Sequence, residues 1–316
     1  MSPEGTVPPR SGALRIGTRR SRMAMSQSQG VADEIAERTG RPVELVGVTT
    51  HGDVSTEQLT QIGGTGVFVN TLRERLLDGT VDLAVHSLKD LPTTPPERIA
   101  LAAVPVRDDP RDVLVSAGGR KLADLPSGAR VGTGSPRRVS QLRLLRPDLE
   151  YVPIRGNGDT RIAMVTAGEM DAVVLAYAGL GRLGRLDDVS EAFAPDDLLP
   201  APGQGALAVE VRADRTDVLD AAASVDDGPS RATAAAERAV LATLEAGCSA
   251  PVGAHATLDV SARTRLHLTA VVVGHDGAAL RMSTSGSVSG AAELGRTLAG
   301  RMLDDGAAAL MREPER

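Results

Sequence analysis

The chain has very few aromatic residues and a single cysteine. Its 316 residues include two Phe, two Tyr and no Trp, so the cores must be aliphatic and platforms that stack on nucleic-acid bases are not expected. The lone cysteine, Cys248, excludes an intramolecular disulfide framework. Five scattered histidines, without a close His/Cys pair, give no metal signature.

Long apolar runs are also missing. No segment approaches the ~18–20 uninterrupted apolar residues of a membrane helix, and the stretch MSPEGTVPPRSG at the start lacks the apolar core of a secretory signal. We therefore expect a cytoplasmic protein that does not contact a membrane. A formal net charge of −6 argues against a general nucleic-acid binder.

Short β-branched runs alternate with helical patterns, which predicts an α/β fold with mainly parallel strands. The predicted strands cover 13–18, 43–50, 81–87, 99–106, 129–133, 171–176 and 206–211. Predicted helices cover 67–78, with Phe68, Leu72 and Leu76 on one face, and 136–146. Ser135 is the expected N-cap of the second helix, because Pro136 fits the first helical position.

Two pairs of similar strings suggest an internal repeat. IGTRRS (16–21) is similar to VGTGSP (131–136), and GTVDLAV (79–85) to GEMDAVV (168–174). The order of the strings favours two similar α/β domains of the periplasmic-binding-protein type with a cleft between them, although short apolar strings also match by chance. From about residue 228 the pattern changes to a smaller α+β domain, with a helix over 231–246, strands over 266–274 and 280–289, and a helix over 291–312.

The predicted division of the chain has four parts. They are a disordered tail at 1–13, a discontinuous first domain at 14–105 and 200–227, a second domain at 106–199 and a C-terminal domain at 228–316.

Arginines concentrate at the predicted strand-to-helix turns. From Arg130 to Arg161, both included, the chain has seven arginines and only three acids. Strand-to-helix turns bind anions through helix N-terminal N–H groups, and the arginine fork pairs bidentately with carboxylates. A ligand with several carboxylates is the first expectation; phosphate would also suit, but GTGSPRR lacks the spacing of a nucleotide P-loop. A single arginine is more often part of a solvated helix face.

Two further features can carry chemistry. Lys89 and Asp90 are adjacent in HSLKD (86–90) at the end of a predicted strand; such a pair is usually a surface ion pair, but a carboxylate there can also stabilise a cation. Cys248 lies in a predicted loop between Gly247 and Pro251. Single cysteines are usually buried and inert, whereas a loop thiol is available for covalent chemistry.

Taken together, the motifs resemble those of one family, hydroxymethylbilane synthase, also called porphobilinogen deaminase. The similarity extends from about Leu14 to the C-terminal helix. The motifs that carry it are RIGTRRS, GGTGVFV, VDLAVHSLKDLP, DDPRDVLVS, VGTGSPRR, RGNGDTR, LAYAGLGRLG, LPAPGQGALAVE, AERA and LEAGCSAPVG. Each is weak alone, but their joint order is specific.

The resemblance implies a function and a cofactor. In this family the cysteine that matches Cys248 forms a thioether to a dipyrromethane cofactor, which the enzyme makes from its own substrate. Four porphobilinogen units are then added head to tail with loss of ammonia, and hydrolysis releases hydroxymethylbilane for tetrapyrrole biosynthesis. The family norm is a monomer whose partners are porphobilinogen and the growing pyrrole chain.

The resemblance also assigns residues. Asp90 matches the catalytic aspartate, which contacts pyrrole nitrogens and stabilises the cation formed when ammonia leaves. The expected cofactor- and substrate-binding residues are Arg19, Ser21, Ser87, Lys89, Thr133, Ser135, Arg137, Arg138, Arg155, Gly156, Arg161, Arg182 and Gln204.

Four positions depart from the family pattern. His51, Thr65 and Asn70 replace positively charged residues that are common there, and Gly158 replaces a branched apolar residue. We still expect an active enzyme, because these positions do not include Asp90 or Cys248. The alternative is a non-catalytic anion sensor of the periplasmic-binding type, which would leave Cys248 and the C-terminal domain without a role.

Overall fold

A computed structural model describes residues 12–49, 69–94, 96–247, 250–259, 261 and 264–312. The chain divides into two compact units. Unit 1 comprises 1–107 and 206–231, and unit 2 comprises 108–205 and 232–316. Unit 2 thus contains most of the predicted second and C-terminal domains, and the division into three domains stays a prediction.

The strands form three sheets. They are β1 (Leu14–Arg19), β2 (Val43–Val48), β3 (Leu83–Ser87), β4 (Ile99–Ala103), β5 (Asp112–Ser116), β6 (Arg130–Gly132), β7 (Glu150–Val152), β8 (Ala172–Ala176), β9 (Glu191–Ala192), β10 (Leu207–Arg212), β11 (Val252–Leu258), β12 (Arg265–Val273) and β13 (Ala279–Ser287). The helices are α1 (Arg22–Thr39), α2 (Asn70–Leu77), α3 (Pro136–Leu145), α4 (Gly158–Thr166), α5 (Tyr177–Leu183), α6 (Thr216–Ala223), α7 (Gly228–Thr243), α8 (Ala291–Asp304) and α9 (Ala307–Leu310).

The two five-stranded sheets share one topology. Their orders are β2-β1-β3-β10-β4 in unit 1 and β7-β6-β8-β5-β9 in unit 2. In each sheet the first three strands are parallel and the last two pairings are antiparallel. The similar strings of the sequence fall on matching strands, β1 with β6 and β3 with β8. The prediction of two similar α/β domains and a C-terminal α+β part is therefore confirmed. The expectation of mainly parallel strands is wrong, because each five-stranded sheet has two parallel and two antiparallel pairings.

The central strands are apolar because helices cover both of their faces. In β3, Leu83 and Val85 pack with α1 and α6 residues in one core cluster, whereas Ala84 packs with Leu72 and Leu76 of α2 in another. Complete burial of a leucine-sized side chain contributes about 1.5–3 kcal/mol. Burial of both faces of β3 determines which residues lie at the carboxyl end of this strand.

The start of α3 agrees with the sequence-based prediction. Ser135 is the N-cap and accepts a hydrogen bond from the Arg138 N–H, and Pro136 occupies the first helical position. The cap satisfies one of the N–H groups that a helix leaves unpaired at its start. The basic residues that follow Pro136 are therefore held at a defined helix N-terminus.

The C-terminal part of unit 2 is an antiparallel sheet in the order β11-β12-β13, with helices α7 and α8 packed on it. Leu298 and Met302 are fully buried and Leu294 is half-buried, as the helical spacing predicts. The single helix predicted over 291–312 is wrong, because the chain leaves the helix after Asp304 and Gly306 adopts a φ of 94°. Glycine enters this left-handed region without a steric penalty.

Candidate functional site

Two predicted site residues lie at the carboxyl ends of β1 and β3, which are neighbouring parallel strands of unit 1. Arg19 ends β1 and is half-buried. Ser87 ends β3, and its Oγ accepts a hydrogen bond from the buried Gln27 side chain at 3.3 Å. Parallel strands present their carboxyl ends at one edge of a sheet, where α/β proteins bind ligands.

Ser21 has a defined structural contact. It is the N-cap of α1, and its Oγ accepts the Ala24 N–H at 3.3 Å. The residue therefore fixes the first turn of the helix directly after β1. The hydroxyl proton of Ser21 can still be donated to an anion at this turn.

Asp90 lies on a short 3-10 helix, Leu88–Asp90, directly after β3. Leu88 and Leu91 are buried, and the Leu88 N–H donates to the carbonyl of Ala206 at 3.0 Å. Lys89 is half-buried and Asp90 is exposed. Buried leucines on both sides thus anchor the turn while the carboxylate of Asp90 is presented to solvent.

Unit 2 contains a buried charge cluster around Asp112, a residue that the sequence analysis did not assign. Asp112 is completely buried on β5. Its carboxylate lies 2.8 Å from Arg137 Nη2 and accepts hydrogen bonds from Arg138 Nε and Nη2 and from Gln204 Nε2. The structure thus brings together three predicted site residues, Arg137, Arg138 and Gln204, through one unpredicted carboxylate.

The pKa values of Asp112 and Arg137 in this cluster are shifted from their ordinary values. Burial alone would raise the pKa of Asp112, but the guanidinium groups of Arg137 and Arg138 and the hydrogen bond from Gln204 lower it to about 2. Burial and the charge of Arg138 lower the pKa of Arg137, against the opposing effect of Asp112. Two guanidinium groups facing one carboxylate leave an excess positive charge, which favours a further anion.

The cluster retains capacity for a ligand. Arg137 is only 3% exposed, and its Nε has no hydrogen-bond partner among the described residues. A buried donor that stays unpaired costs about 1–3 kcal/mol, so a carboxylate that reaches it gains a favourable contact. The cluster fits a group with several carboxylates, such as the dipyrromethane cofactor that the family resemblance implies. Thr133 is buried beside the cluster-bearing helix, and its Oγ1 accepts the Ser135 N–H at 3.3 Å.

A second group of predicted residues lies around the start of α4. Arg155 is exposed, and Arg161 Nε donates to the Gly156 carbonyl at 2.9 Å. Burial, with a smaller contribution from the charge of Arg138, lowers the pKa of Arg161 to about 10. Gly156 has a φ of 104°, and an added Cβ would lie 2.9 Å from Thr160, so the turn requires glycine.

Arg182 belongs to a third group in unit 2. Its Nε donates to Asp108 Oδ2 at 2.8 Å and its Nη2 to the Gly205 carbonyl at 2.7 Å. Burial lowers the pKa of Arg182, although Asp108 acts in the opposite direction. Gly205 is required here because an added Cβ would lie 2.5 Å from the Asp108 carbonyl oxygen.

Glu237 is another buried carboxylate that the sequence analysis did not assign. Its oxygens accept the N–H groups of Gly203, at 2.7 Å, and Ala256, at 2.8 Å. It thereby fixes the turn that precedes Gln204. Glu237 occurs in the AERA motif, and Asp112 in the DDPRDVLVS motif. Their membership of these motifs was the signal that could have identified both, because nothing local in the sequence shows that either acid is buried.

Some predicted residues lie outside the described part of the chain. Cys248, His51 and Thr65 are among them. Asn70 is the first residue of α2. Gly158 begins α4, and an added Cβ there would lie 2.9 Å from Leu183 Cδ1; a branched residue would therefore require the Leu183 side chain to move.

Buried arginines at a strand-to-helix turn of an α/β architecture form an arrangement that suits an anion-binding protein. Two family models match the chain, namely "Porphobilinogen deaminase, dipyromethane cofactor binding domain" over residues 14–220 and "Porphobilinogen deaminase, C-terminal domain" over residues 232–304. The chain belongs to the porphobilinogen deaminase family. The predicted activity, enzyme class and dipyrromethane cofactor are confirmed at the level of that family.

Similar proteins cover nearly the whole chain. Porphobilinogen deaminase of Thermobifida fusca is 59% identical over 302 residues, covering 93% of this chain and 94% of its own length. Porphobilinogen deaminase 1 of Streptomyces coelicolor is 57% identical over 312 residues, covering 95% of this chain and 98% of its own. The alternative of a non-catalytic sensor does not explain a family match that includes both the α/β part and the C-terminal part.

Solved structures give a weaker similarity. The periplasmic VFT2 domain of BvgS from Bordetella pertussis is 18% identical, with a TM-score of 0.41, over 67% of this chain and 86% of that chain. The fold class therefore rests on the sheets described above. Among the described helices, none has the length and hydropathy that spanning a bilayer requires.

Proposed function

We propose that this enzyme joins four porphobilinogen molecules head to tail on a dipyrromethane primer, with loss of ammonia at each addition, and releases hydroxymethylbilane by hydrolysis. The observation that carries the proposal is the position of Asp90. Its exposed carboxylate follows the buried central strand β3 and is anchored by Leu88 and Leu91.

Asp90 would act on the reacting pyrrole. When bound, the dipyrromethane group supplies the terminal pyrrole ring to which new units are joined. Positive charge develops on a pyrrole when ammonia leaves, and a fixed carboxylate beside the ring nitrogen stabilises that charge. The same carboxylate can accept and return the proton that moves during the step. Burial of Leu88 and Leu91 fixes the backbone of the turn from which the Asp90 side chain extends.

The arginines would bind the acetate and propionate side chains that each pyrrole unit of the substrate and the primer carries. Arg155 presents an exposed guanidinium, and Arg137 offers a buried Nε without a partner among the described residues. Asp112 fixes the orientation of the Arg137 and Arg138 side chains. The remaining proposed ligands are Arg19, Ser21, Ser87, Lys89, Thr133, Ser135, Gly156, Arg161, Arg182 and Gln204.

The thiolate of Cys248 would form the thioether that tethers the primer. Intact-mass measurement tests this directly. We expect the purified enzyme to carry an adduct of about two pyrrole units, the variant Cys248→Ala to lack the adduct and turnover, and the neighbouring variant Ser249→Ala to keep both. An active Cys248→Ala variant, or an adduct that persists in it, would refute the assignment.

We also propose that the enzyme works as a monomer in the cytoplasm. A thioether-forming cysteine must be available as a free thiol, and the reducing cytoplasm maintains thiols. Sedimentation velocity at micromolar enzyme concentration should give one species with the mass of a single chain, and a dimer would contradict the proposal.

A further inference from the structure

Unit 1 contains a buried ion pair that the proposed mechanism does not use. Glu210 on β10 is 2% exposed. Arg73 on α2 donates to it twice, from Nε to Oε2 at 2.9 Å and from Nη2 to Oε1 at 2.7 Å. Such a bidentate geometry fixes both side chains more tightly than a single contact. The pair therefore joins α2 to the β10 strand.

His86 on β3 belongs to the same cluster. It is 6% exposed, and its Nε2 lies 3.3 Å from Glu210 Oε2. Glu210 pairs in register with Ala84, and Ala208 pairs with His86. Since side chains two residues apart share a face of a strand, His86 lies on the same face as Ala84, which packs against α2.

The electrostatics of Glu210 agree with this arrangement. Burial alone would raise the pKa of Glu210, but His86 and Arg73 lower it to about 2. The carboxylate is therefore ionised and holds a partner on each of two elements. Removal of its charge would leave Arg73 buried without its counter-ion.

The cluster lies next to the turn that carries Asp90. The 3-10 helix with Asp90 begins two residues after His86, and the Leu88 N–H within it bonds to Ala206, directly before β10. The β10 segment thus holds this part of the chain at two points, through the carbonyl of Ala206 and through the carboxylate of Glu210. A displacement of about 1 Å at a reacting group can reduce a rate about 100-fold.

We propose that Glu210 is a positioning residue for the reaction, which fixes the end of β3 through His86 and Arg73 and thereby orients the Asp90 carboxylate. This inference rests on the proposed catalytic role of Asp90. Glu210 itself lies inside the fold and acts through its neighbours.

The test compares Glu210→Gln with Asp82→Asn. Asp82 directly precedes the first residue of β3, at the end of the strand opposite to Asp90. It forms a similar ion pair with Arg15, with 3.0 Å between Arg15 Nε and Asp82 Oδ2. Both variants remove a buried carboxylate from the same sheet, so both should melt at a lower temperature. We expect Glu210→Gln to lower kcat at least about tenfold with KM within about twofold, per chain that carries the adduct by intact mass. Asp82→Asn should keep kcat within about twofold. Equal kcat values in the two variants would overturn the proposal.

A double variant separates this inference from the role of Asp90. If Glu210 acts through Asp90, the variant Asp90→Asn with Glu210→Gln should be no slower than Asp90→Asn alone, because effects along one route are not additive. Multiplied losses would show that Glu210 acts independently and would overturn the positioning role, with the role of Asp90 intact. An Asp90→Asn variant at full rate would refute the proposed function itself, and the positioning role with it.

A milder variant covers the case in which Glu210→Gln does not fold. Arg73→Lys keeps the positive charge but loses the bidentate hydrogen bonds to Glu210. We expect a smaller fall in kcat, about threefold, again with unchanged KM. An Arg73→Lys variant with the kcat of the unmodified enzyme would contradict the proposal.

Discussion

Arg138 donates two hydrogen bonds to the same oxygen of Asp112, from Nε at 3.0 Å and from Nη2 at 2.7 Å. Both side chains are nearly inaccessible, with exposures of 7% and 0%. A buried charge persists only when it is paired and hydrogen-bonded. Asp112 therefore serves as the internal counter-ion of the arginines at the start of α3.

Replacement of this counter-ion should destabilise the fold. We expect Asp112→Asn to lower the free energy of unfolding by about 3–5 kcal/mol, because Arg137 and Arg138 would lose their buried partner. Urea unfolding measures the loss. The control is Asp148→Asn, which removes a more exposed partner of Arg146 and should cost much less. Equal stability of Asp112→Asn and the unmodified protein would contradict this account.

Acid should remove the contribution of Asp112 to the free energy of unfolding. Its pKa of about 2 in the fold is below the ~3.9 of an unfolded aspartate. The stabilisation is therefore present above pH ~4 and is lost as the pH falls through the folded pKa. The difference in unfolding free energy between the unmodified protein and Asp112→Asn should shrink between pH 4 and pH 3, measured by urea unfolding. A difference independent of pH over this range would show that the charge of Asp112 is not involved.

The close approach of the Asp108 backbone to Gly205 can be tested by substitution of the glycine. Gly205 and Gly168 both have positive φ, at 87° and 74°, but only Gly205 has a backbone oxygen, that of Asp108, 2.5 Å from an added Cβ. We expect Gly168→Ala to cost about 1 kcal/mol, from backbone strain alone. Gly205→Ala should cost at least about 2 kcal/mol more, because the backbone must shift. Thermal or urea unfolding compares the two, and similar costs would refute the close contact.

Arg155 tests the binding of substrate carboxylates. Its side chain is exposed, so Arg155→Leu should leave the fold intact. Loss of a charged hydrogen bond worth about 1.5–3 kcal/mol should reduce primer assembly or elongation about 10- to 150-fold. Adduct content by mass and the rate of hydroxymethylbilane formation measure the effect, with exposed Arg120→Leu as the control. Normal assembly and elongation in Arg155→Leu would remove Arg155 from the site.

The sequence allowed prediction where local chemistry decides the structure. The apolar run before HSLKD, and Ser135 with Pro136, identify a strand and a helix start because the signals are contained within a few residues. The repeated strings at β1 and β6 similarly predicted two similar α/β domains, and the structure shows that their sheets share one topology. The sequence therefore placed Asp90 and the arginines of α3 at the ends of the correct elements.

The carboxylates that support those residues could not be predicted in the same way. Asp112 and its partner Arg138 are separated by 26 positions, and Glu210 and Arg73 by 137. Nothing local distinguishes a buried, paired acid from a surface one, since the distinction depends on which strands become neighbours. The sequence did not predict the end of α8 at Asp304, because the helical spacing of apolar residues continues beyond Gly306.

The most direct measurement is the turnover of Asp90→Asn against that of Asp124→Asn. Both aspartates are exposed third residues of short 3-10 helices between buried leucines, Leu88–Asp90 and Leu122–Asp124. Each variant is first shown to be folded by circular dichroism and to carry its adduct by mass. If Asp90 stabilises the pyrrole cation, hydroxymethylbilane formation falls at least about 100-fold in Asp90→Asn and less than about twofold in Asp124→Asn. A loss smaller than about tenfold in Asp90→Asn would contradict the catalytic role.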